Sequence, residues 1–493
     1  MTNLYAELDT VFVAQATKDC LRIPAGDTWR YQDIRDLVAK IAHTLVAEGL
    51  VPGDRLVVQV EKSPQNLALY LATLSVGGVY VPLNTAYTAA ELDYFLADAQ
   101  PALFVGQTEH KSVPSLTLSK DGRGGLMEAL PQKTPDLTIV ERAADDLAAI
   151  LYTSGTTGRS KGAMLTHGNL STNAHRLCES WGWRSDDVLL HALPIFHVHG
   201  LFIASHCALL TGTPMIWLAK FSTESVMASL PECTVMMGVP TFYARLLLQP
   251  DFPEGNLSRL RVFICGSAPL TEQVFLQWQA RTGHSILERY GMSETIINTT
   301  NPLAGERVAG TVGFPLTGLS LRITNEEGVE LPAGEVGSIE VRGPSVFRGY
   351  WNMPEKTRSE FRQDGHFITG DLGSVDQEGR LSIVGRSKDM IISGGFNVYP
   401  KEVERLLDEL PHVSESAVIG VPHADFGEAV VAIVVPCAED VTLDQVNLAL
   451  KDELARFKQP KTVVNVSSLP RNAMGKVQKN LLRDQFKQVL DNL

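Results

Sequence analysis

Between residues 28 and 106 the chain switches repeatedly between two hydrophobic periods. Residues 31–48 place Ile34, Leu37, Ile41 and Leu45 near helical spacing, which predicts an amphipathic helix. Residues 55–60 (RLVVQV) are an apolar run of strand length, residues 67–76 read as a second apolar helix, and 79–83 as a short strand. The alternation resumes after residue 147. Helices are predicted at 168–180, 198–211, 240–249 and 270–282, and strands at 187–193, 234–238 and 260–265. Strand and helix in alternation imply α/β architecture with doubly covered, mostly parallel sheets. From about 315 to 385 the pattern changes. Short β runs at 319–324 and 337–342, separated by Gly, Pro and Asn turns, predict a small antiparallel β subdomain. Beyond residue 400 the order is helix, strand (416–421), strand (430–436), helix (443–457), strand (461–466) and helix, a compact α+β unit. Two domains are expected, residues 1–386 and a mobile C-terminal lid of residues 387–493.

Composition narrows the function classes. At 493 residues the chain exceeds the size of a single core, so more than one domain is expected. A net charge of -13 argues against general nucleic-acid binding, which needs a basic face, but permits a local cationic pocket. Six cysteines without a CxxC pair predict neither a disulfide framework nor a zinc site. No apolar run reaches membrane-spanning length and the N-terminus carries no signal-like pattern, so a cytoplasmic protein without membrane partners is expected.

The densest chemistry lies at Thr153, Ser154, Gly155, Thr156, Thr157 and, after Gly158-Arg159-Ser160, Lys161 and Gly162. The apolar run 147–151 feeds this loop, which combines little side-chain bulk with hydroxyls and a lysine. Such a loop can curl around phosphate, with backbone N–H groups and hydroxyls as donors and Lys161 as a point charge. Its spacing is not that of a Walker loop, because Ser160 precedes the lysine and Gly162 follows it.

Four further motifs follow in order: Tyr290-Gly291-Met292-Ser293-Glu294, Thr369-Gly370-Asp371, Gly385-Arg386 and Gly475-Lys476. With them the chain resembles the acyl-adenylate-forming enzymes, the family of acyl-CoA synthetases, luciferases and peptide-synthetase adenylation domains, from about residue 28 to 480. The resemblance implies two half-reactions. A carboxylate and ATP give acyl-AMP and pyrophosphate, and coenzyme A then displaces AMP. It also implies roles. The loop from Thr153 to Lys161 would hold the β- and γ-phosphates. Glu294, as the one acid beside them, would bind Mg2+ together with Thr153. Tyr290 would stack on adenine against the turn Gly266-Ser267-Ala268, with Gly291 and Thr295 in the same nucleotide site. Asp371 would accept the ribose hydroxyls and Arg386 would add a contact. His197 would lie near the reacting carboxylate. Lys476 would stabilise the charge developing on the attacking carboxylate and α-phosphate, with Lys479 competing for that role. Rotation near Lys388 would exchange Lys476 for Gly394 and Gly395, which would line the coenzyme A tunnel. The resemblance also implies, as a hypothesis, a lysine acyltransferase and deacylase acting on Lys476 as an off switch.

The acyl site departs from commoner members. His199 stands two residues after His197, and in extended chain both face one side. Where relatives that take aromatic or fatty acids have a small residue, this chain has Arg289, and family geometry places Arg289, His199 and Ser267 on the acyl wall. A guanidinium can grip a carboxylate through two parallel hydrogen bonds. A salt bridge to Glu288 or Glu306 is the competing use of Arg289. The segments 196–200 and 288–294 closely resemble the malonyl-CoA synthetase branch, which implies malonate as the acid. Methylmalonate or another short acid, and a catalytically decayed nucleotide-binding protein, are the alternatives.

Overall fold

The computed structural model describes residues 3–153, 160–252, 257–423, 426–472 and 475–490. Its largest sheet has nine strands in the order Phe314–Pro315, Thr299–Thr300, Leu287–Tyr290, Val262–Cys265, Val235–Gly238, Leu189–His191, Met215–Trp217, Asp19–Arg22 and Thr28–Arg30. The run from Leu287–Tyr290 to Asp19–Arg22 is parallel, and the outer strands are antiparallel. A seven-stranded sheet follows the order Gly349–Tyr350, Lys161–Thr166, Leu147–Thr153, Val79–Pro82, Arg55–Gln59, Leu103–Gly106 and Ser115–Thr117. It is parallel from Leu147–Thr153 onward.

One apolar core joins these sheets through the helices between them. Helix Pro64–Ser75 is typical: Ser63 caps it by accepting Asn66 N–H, Pro64 opens the first turn, and nearly every side chain is buried. A helix apolar all round belongs between layers. Helix Tyr31–Ala47 instead buries one stripe, Ile34, Leu37, Val38, Ile41 and Leu45.

A third sheet, antiparallel, comprises Ser320–Thr324, Gly337–Arg342, Phe367–Val375 and Leu381–Arg386, as the turn-rich pattern predicts. The fourth sheet is built from Ile391–Ser393, Phe396–Val398, Val413–His423, Gly427–Pro436 and Thr462–Asn465.

Three expectations are corrected. Residues 198–211 are not one α-helix: His199–Ser205 is a π-helix and His206–Thr211 an α-helix. Apolar spacing cannot separate these windings. The helix expected at 443–457 ends at Leu450, after which turns still bury Leu454. Gly349–Tyr350 lies within the predicted β subdomain in sequence but pairs with Lys161–Thr166 in the seven-stranded sheet. Helices Leu4–Ala14 and Ala89–Ala99 also form, outside the elements predicted. Among the described residues no helix is long and apolar enough to cross a membrane.

Candidate active site

Parallel sheets gather ligand-binding groups at the carboxyl ends of their strands. Here His197 and His199 follow strand Leu189–His191, Gly266 and Ser267 follow Val262–Cys265, and Arg289 and Tyr290 end Leu287–Tyr290. In the second sheet Thr153 and Lys161 face each other across the antiparallel pair that brackets the phosphate loop. Ser154, Gly155, Thr156 and Thr157 lie outside the described residues.

Thr153 Oγ1 stands 3.5 Å from Glu294 Oε1. Lys161 is buried, with Nζ 3.2 Å from Glu360 Oε1 and 4.1 Å from the centre of the Tyr350 ring. The Tyr350 hydroxyl lies 3.0 Å from Glu294 Oε1 and 2.7 Å from Glu360 Oε2. Burial pushes the Glu294 carboxyl above the usual range, against the hydrogen bond from Tyr350 and the charge of Lys161. For Glu360 the bonds from Lys356, Tyr350 and Lys161 outweigh burial and hold the carboxyl low. Glu294 is therefore not the one acid at this corner. Glu360 and Tyr350 escaped the sequence reading, because Tyr350 reaches this corner through strand Gly349–Tyr350 and Glu360 follows helix Pro354–Ser359, placements that no local pattern marks.

Asp371 and Arg386 face each other across two strands, with Arg386 Nε 2.7 Å from Asp371 Oδ1. Tyr290 donates its hydroxyl to Asp371 Oδ2 at 2.6 Å. Each carboxylate oxygen keeps a second lone pair for a ligand hydroxyl. Gly291 must lack a side chain, since a Cβ there would stand 1.9 Å from the Ile296 carbonyl oxygen. Thr295 is fully buried with Oγ1 lacking a partner among the described residues, and Ala268 is half-buried.

Lys476 comes to the same corner. Burial first, then the charges of Arg386 and Lys388, pull its ammonium down to about 8, opposed by Asp371 and Asp389. Its neighbour Gly475 packs against Thr241, where a Cβ would lie 3.2 Å from Oγ1. Lys479 instead binds Glu404 at 2.5 Å. Lys388 lies exposed in the short turn Ser387–Asp389, and Asp389 pairs with Arg483 at 2.9 Å. Gly394 and Gly395 are not brought to the site. They form an exposed two-residue hairpin turn with φ of 59° and 83°, a conformation that itself favours glycine.

Arg289 is 3% exposed, and among the described residues it forms no ion pair. Its Nε and Nη2 have no hydrogen-bond partner. Adjacent strand residues point to opposite faces, and Glu288 uses its carboxylate to accept the Leu270 N–H at 3.1 Å. Glu306 reaches toward Arg380 instead, at 3.9 Å. Burial lowers the guanidinium to about 10, with Cys265, Tyr243 and Glu288 opposing. His199 is fully buried, its Nδ1 3.1 Å from Ser267 Oγ and its Nε2 without a partner among the described residues. Burial, then Arg289, keeps His199 neutral and lowers His197 to about 4. The extended-chain argument for the two histidines is wrong, because Val198 is helical and His199 opens the π-helix. They adjoin by another route: the His199 N–H donates to His197 Nδ1 at 3.3 Å.

Magnesium favours one or two carboxylates together with phosphate oxygens. Glu294 beside Thr153 fits that demand. Among the described residues no cluster of three His, Cys, Asp or Glu could hold a metal alone.

Family models match as AMP-binding enzyme over residues 10–351 and as AMP-binding enzyme C-terminal domain over residues 402–476. The crystal structure of ATP-bound MatB from Rhodopseudomonas palustris is 50% identical, with a TM-score of 0.95 and 99% of each chain covered. A malonate–CoA ligase of Arabidopsis thaliana is 36% identical over 88% of this chain and 78% of its own. A feruloyl-CoA synthase of an Amycolatopsis species is also 36% identical, over 94% of both. Equal identity to relatives named for such different acids leaves the choice of acid to the pocket side chains.

Proposed function

The chain belongs to the AMP-binding enzyme family, and from that premise we propose that it is an AMP-forming malonyl-CoA synthetase. Malonate and ATP give malonyl-AMP and pyrophosphate; coenzyme A then gives malonyl-CoA and AMP. The observation that carries the acid is Arg289, a buried guanidinium with two unpaired nitrogens and, among the described residues, no carboxylate on it. The distal carboxylate of malonate supplies the missing charge, and His199 Nε2 and Ser267 Oγ supply further hydrogen bonds. With a monocarboxylic acid the guanidinium stays buried and unpaired, a cost of about 3–5 kcal/mol. That is roughly a few hundred- to several thousand-fold in selectivity.

In this reading Thr153, Lys161 and the loop between them hold the outer phosphates. Glu294 and Thr153 hold Mg2+, which when bound neutralises phosphate charge. Tyr290, Gly291, Thr295, Gly266 and Ala268 line the nucleoside site, and Asp371 and Arg386 take the ribose side. His197, neutral at working pH, orients the reacting carboxylate as a hydrogen-bond donor without adding charge. Lys476 neutralises the charge that builds as two anions approach. Residues 387–493 then turn about Lys388 to bring Gly394 and Gly395 to the pantetheine chain. Lys476 half-buried at the site, with these glycines exposed elsewhere, supports an arrangement suited to the first step. Acylation of Lys476 by a lysine acyltransferase, reversed by a deacylase, would remove that charge; mass spectrometry of the cellular protein tests this.

The deciding experiment compares Arg289→Ala with the parent on malonate and propionate, following pyrophosphate release with and without coenzyme A. Malonate use should fall at least a hundredfold while propionate use holds or rises. Undiminished malonate use would remove the assignment.

A further inference from the structure

Lys62 is buried between strand Arg55–Gln59 and helix Pro64–Ser75, with no carboxylate on its Nζ among the described contacts. Its Nζ has three partners: His191 Nδ1 at 2.8 Å, the His191 carbonyl at 2.7 Å and the Leu218 carbonyl at 2.8 Å. The ammonium also stands 4.1 Å from the centre of the Trp217 ring. His191 and Leu218 lie at the carboxyl ends of two strands of the nine-stranded sheet, so this one side chain ties the two large sheets together.

The chain of bonds continues into the acyl site. His191 Nε2 lies 2.9 Å from the Gly200 carbonyl and 3.1 Å from Ser205 Oγ, and Ser205 Oγ donates to the same carbonyl at 2.9 Å. A carbonyl only accepts, so Nε2 carries the hydrogen and Nδ1 is bare. Nδ1 and two carbonyls then take all three hydrogens of an ammonium, against the pull of burial toward the neutral amine. Gly200 is the second residue of the π-helix that begins at His199. It is locked, since a Cβ would stand 2.1 Å from the Pro194 carbonyl oxygen.

We propose that Lys62 is a positioning residue for substrate selection, acting through His191 and the Gly200 carbonyl to fix the π-turn that aims His199 at the distal carboxylate. This inference rests on the malonate reading above. Lys62 touches no reacting atom. Its work is to set one His191 tautomer and thereby one backbone position for His199.

The test replaces Lys62→Met, which keeps the length of the stem. kcat/KM for malonate should fall on the order of tenfold or more, the scale of a small misplacement at a reacting site. KM for ATP and the weak activity on propionate should stay within about threefold, since neither uses His199. In a His199→Ala background the Lys62→Met change should cost almost nothing more, because both act through one contact. If Lys62→Met fails to fold, the His191 variants decide. His191→Gln retains a donor and an acceptor and should keep the malonate preference, whereas His191→Leu should lose it. Equal losses on malonate and propionate, or additive losses with His199→Ala, would overturn the proposal. Unchanged malonate use in both Arg289→Ala and His199→Ala would instead remove the malonate reading beneath it.

Discussion

A Cβ on Gly266 would stand 2.5 Å from Cζ of Arg289 and 2.6 Å from its Nη1, so the guanidinium lies directly on the glycine backbone. The proposed specificity device therefore has two parts: the cation, and a neighbour with no side chain to displace it. Gly266→Ala should push the guanidinium off its seat. Malonate kcat/KM should fall by about ten- to a hundredfold, as for other displacements of an ordered binding group. Because Gly266 also lines the nucleoside site in the proposed arrangement, KM for ATP measured in parallel separates the effects. A larger change for ATP than for malonate would place the glycine's main duty on the nucleotide.

Tyr350 has one hydroxyl hydrogen and two carboxylates within reach, Glu294 at 3.0 Å and Glu360 at 2.7 Å. It spaces Glu294 from the acid that binds Lys161. Tyr350→Phe removes a hydrogen bond to a charged group, worth about 1.5–3 kcal/mol. ATP affinity, measured by calorimetry with Mg2+ and without acid, should weaken roughly ten- to a hundredfold. KM for malonate at saturating ATP should stay nearly constant.

The sequence marked the candidate site residues wherever the proposed chemistry is local. Tyr290, Asp371 and Arg386 sit on strands and Glu294 in the turn just after Tyr290, so short motifs deliver all four, and the two-residue spacing of Asp371 and Thr369 is closed by a hydrogen bond at 3.1 Å. The periodicities at 31–48 and 337–342 likewise reappear as Tyr31–Ala47 and Gly337–Arg342. What stayed hidden depends on pairings across long separations. Lys62 meets His191 from 129 residues away, and Lys161 meets Glu360 from 199. No local pattern marks a lysine that will be buried. The π-winding at His199 was equally illegible, because apolar spacing does not mark it, and the bonds on its Gly200 carbonyl come from His191 and Ser205.

Lys476 should impose an alkaline limit on the first half-reaction. Its ammonium is held down to about 8, chiefly by burial and by Arg386. The residue is cationic below that pH and neutral above it, so the charge needed in adenylation is lost as pH rises through about 8. kcat/KM for pyrophosphate release without coenzyme A, which reports the free enzyme, should fall about tenfold per unit beyond the limb. Lys388→Met removes one of the repelling charges and should move that limb to higher pH.

Glu288 should make the fold less stable as pH rises. Burial first, against the Leu270 N–H and the charges of Lys401 and Arg289, pushes its carboxyl up to about 7. The folded chain then keeps a proton that the unfolded chain releases above about 4.5. The cost begins near pH 4.5 and is complete above about pH 7. At 1.36 kcal/mol per unit it is on the order of 3 kcal/mol. Glu288→Gln keeps an acceptor for Leu270 and should raise the melting temperature at pH 8, with little effect at pH 4.5. A stabilisation equal at both pH values would mean that the charge is not its source.

The turn Ser387–Asp389 connects strand Leu381–Arg386 to the fourth sheet, and its last residue is held by Arg483 on the final described helix. The proposed rotation of residues 387–493 would change backbone dihedrals at Lys388 while the Asp389–Arg483 pair travels with them. Proline at 388 fixes φ near −65° and removes that freedom. Malonyl-AMP formation in Lys388→Pro should remain within a few-fold of the parent, since Lys476 is already at the site in this arrangement. Thioester formation from preformed malonyl-AMP and coenzyme A should fall at least a hundredfold, because Gly394 and Gly395 stay outside. Single-turnover assays of the two steps distinguish this from general damage: equal loss in both would show that the turn is a structural joint and not the axis of the lid.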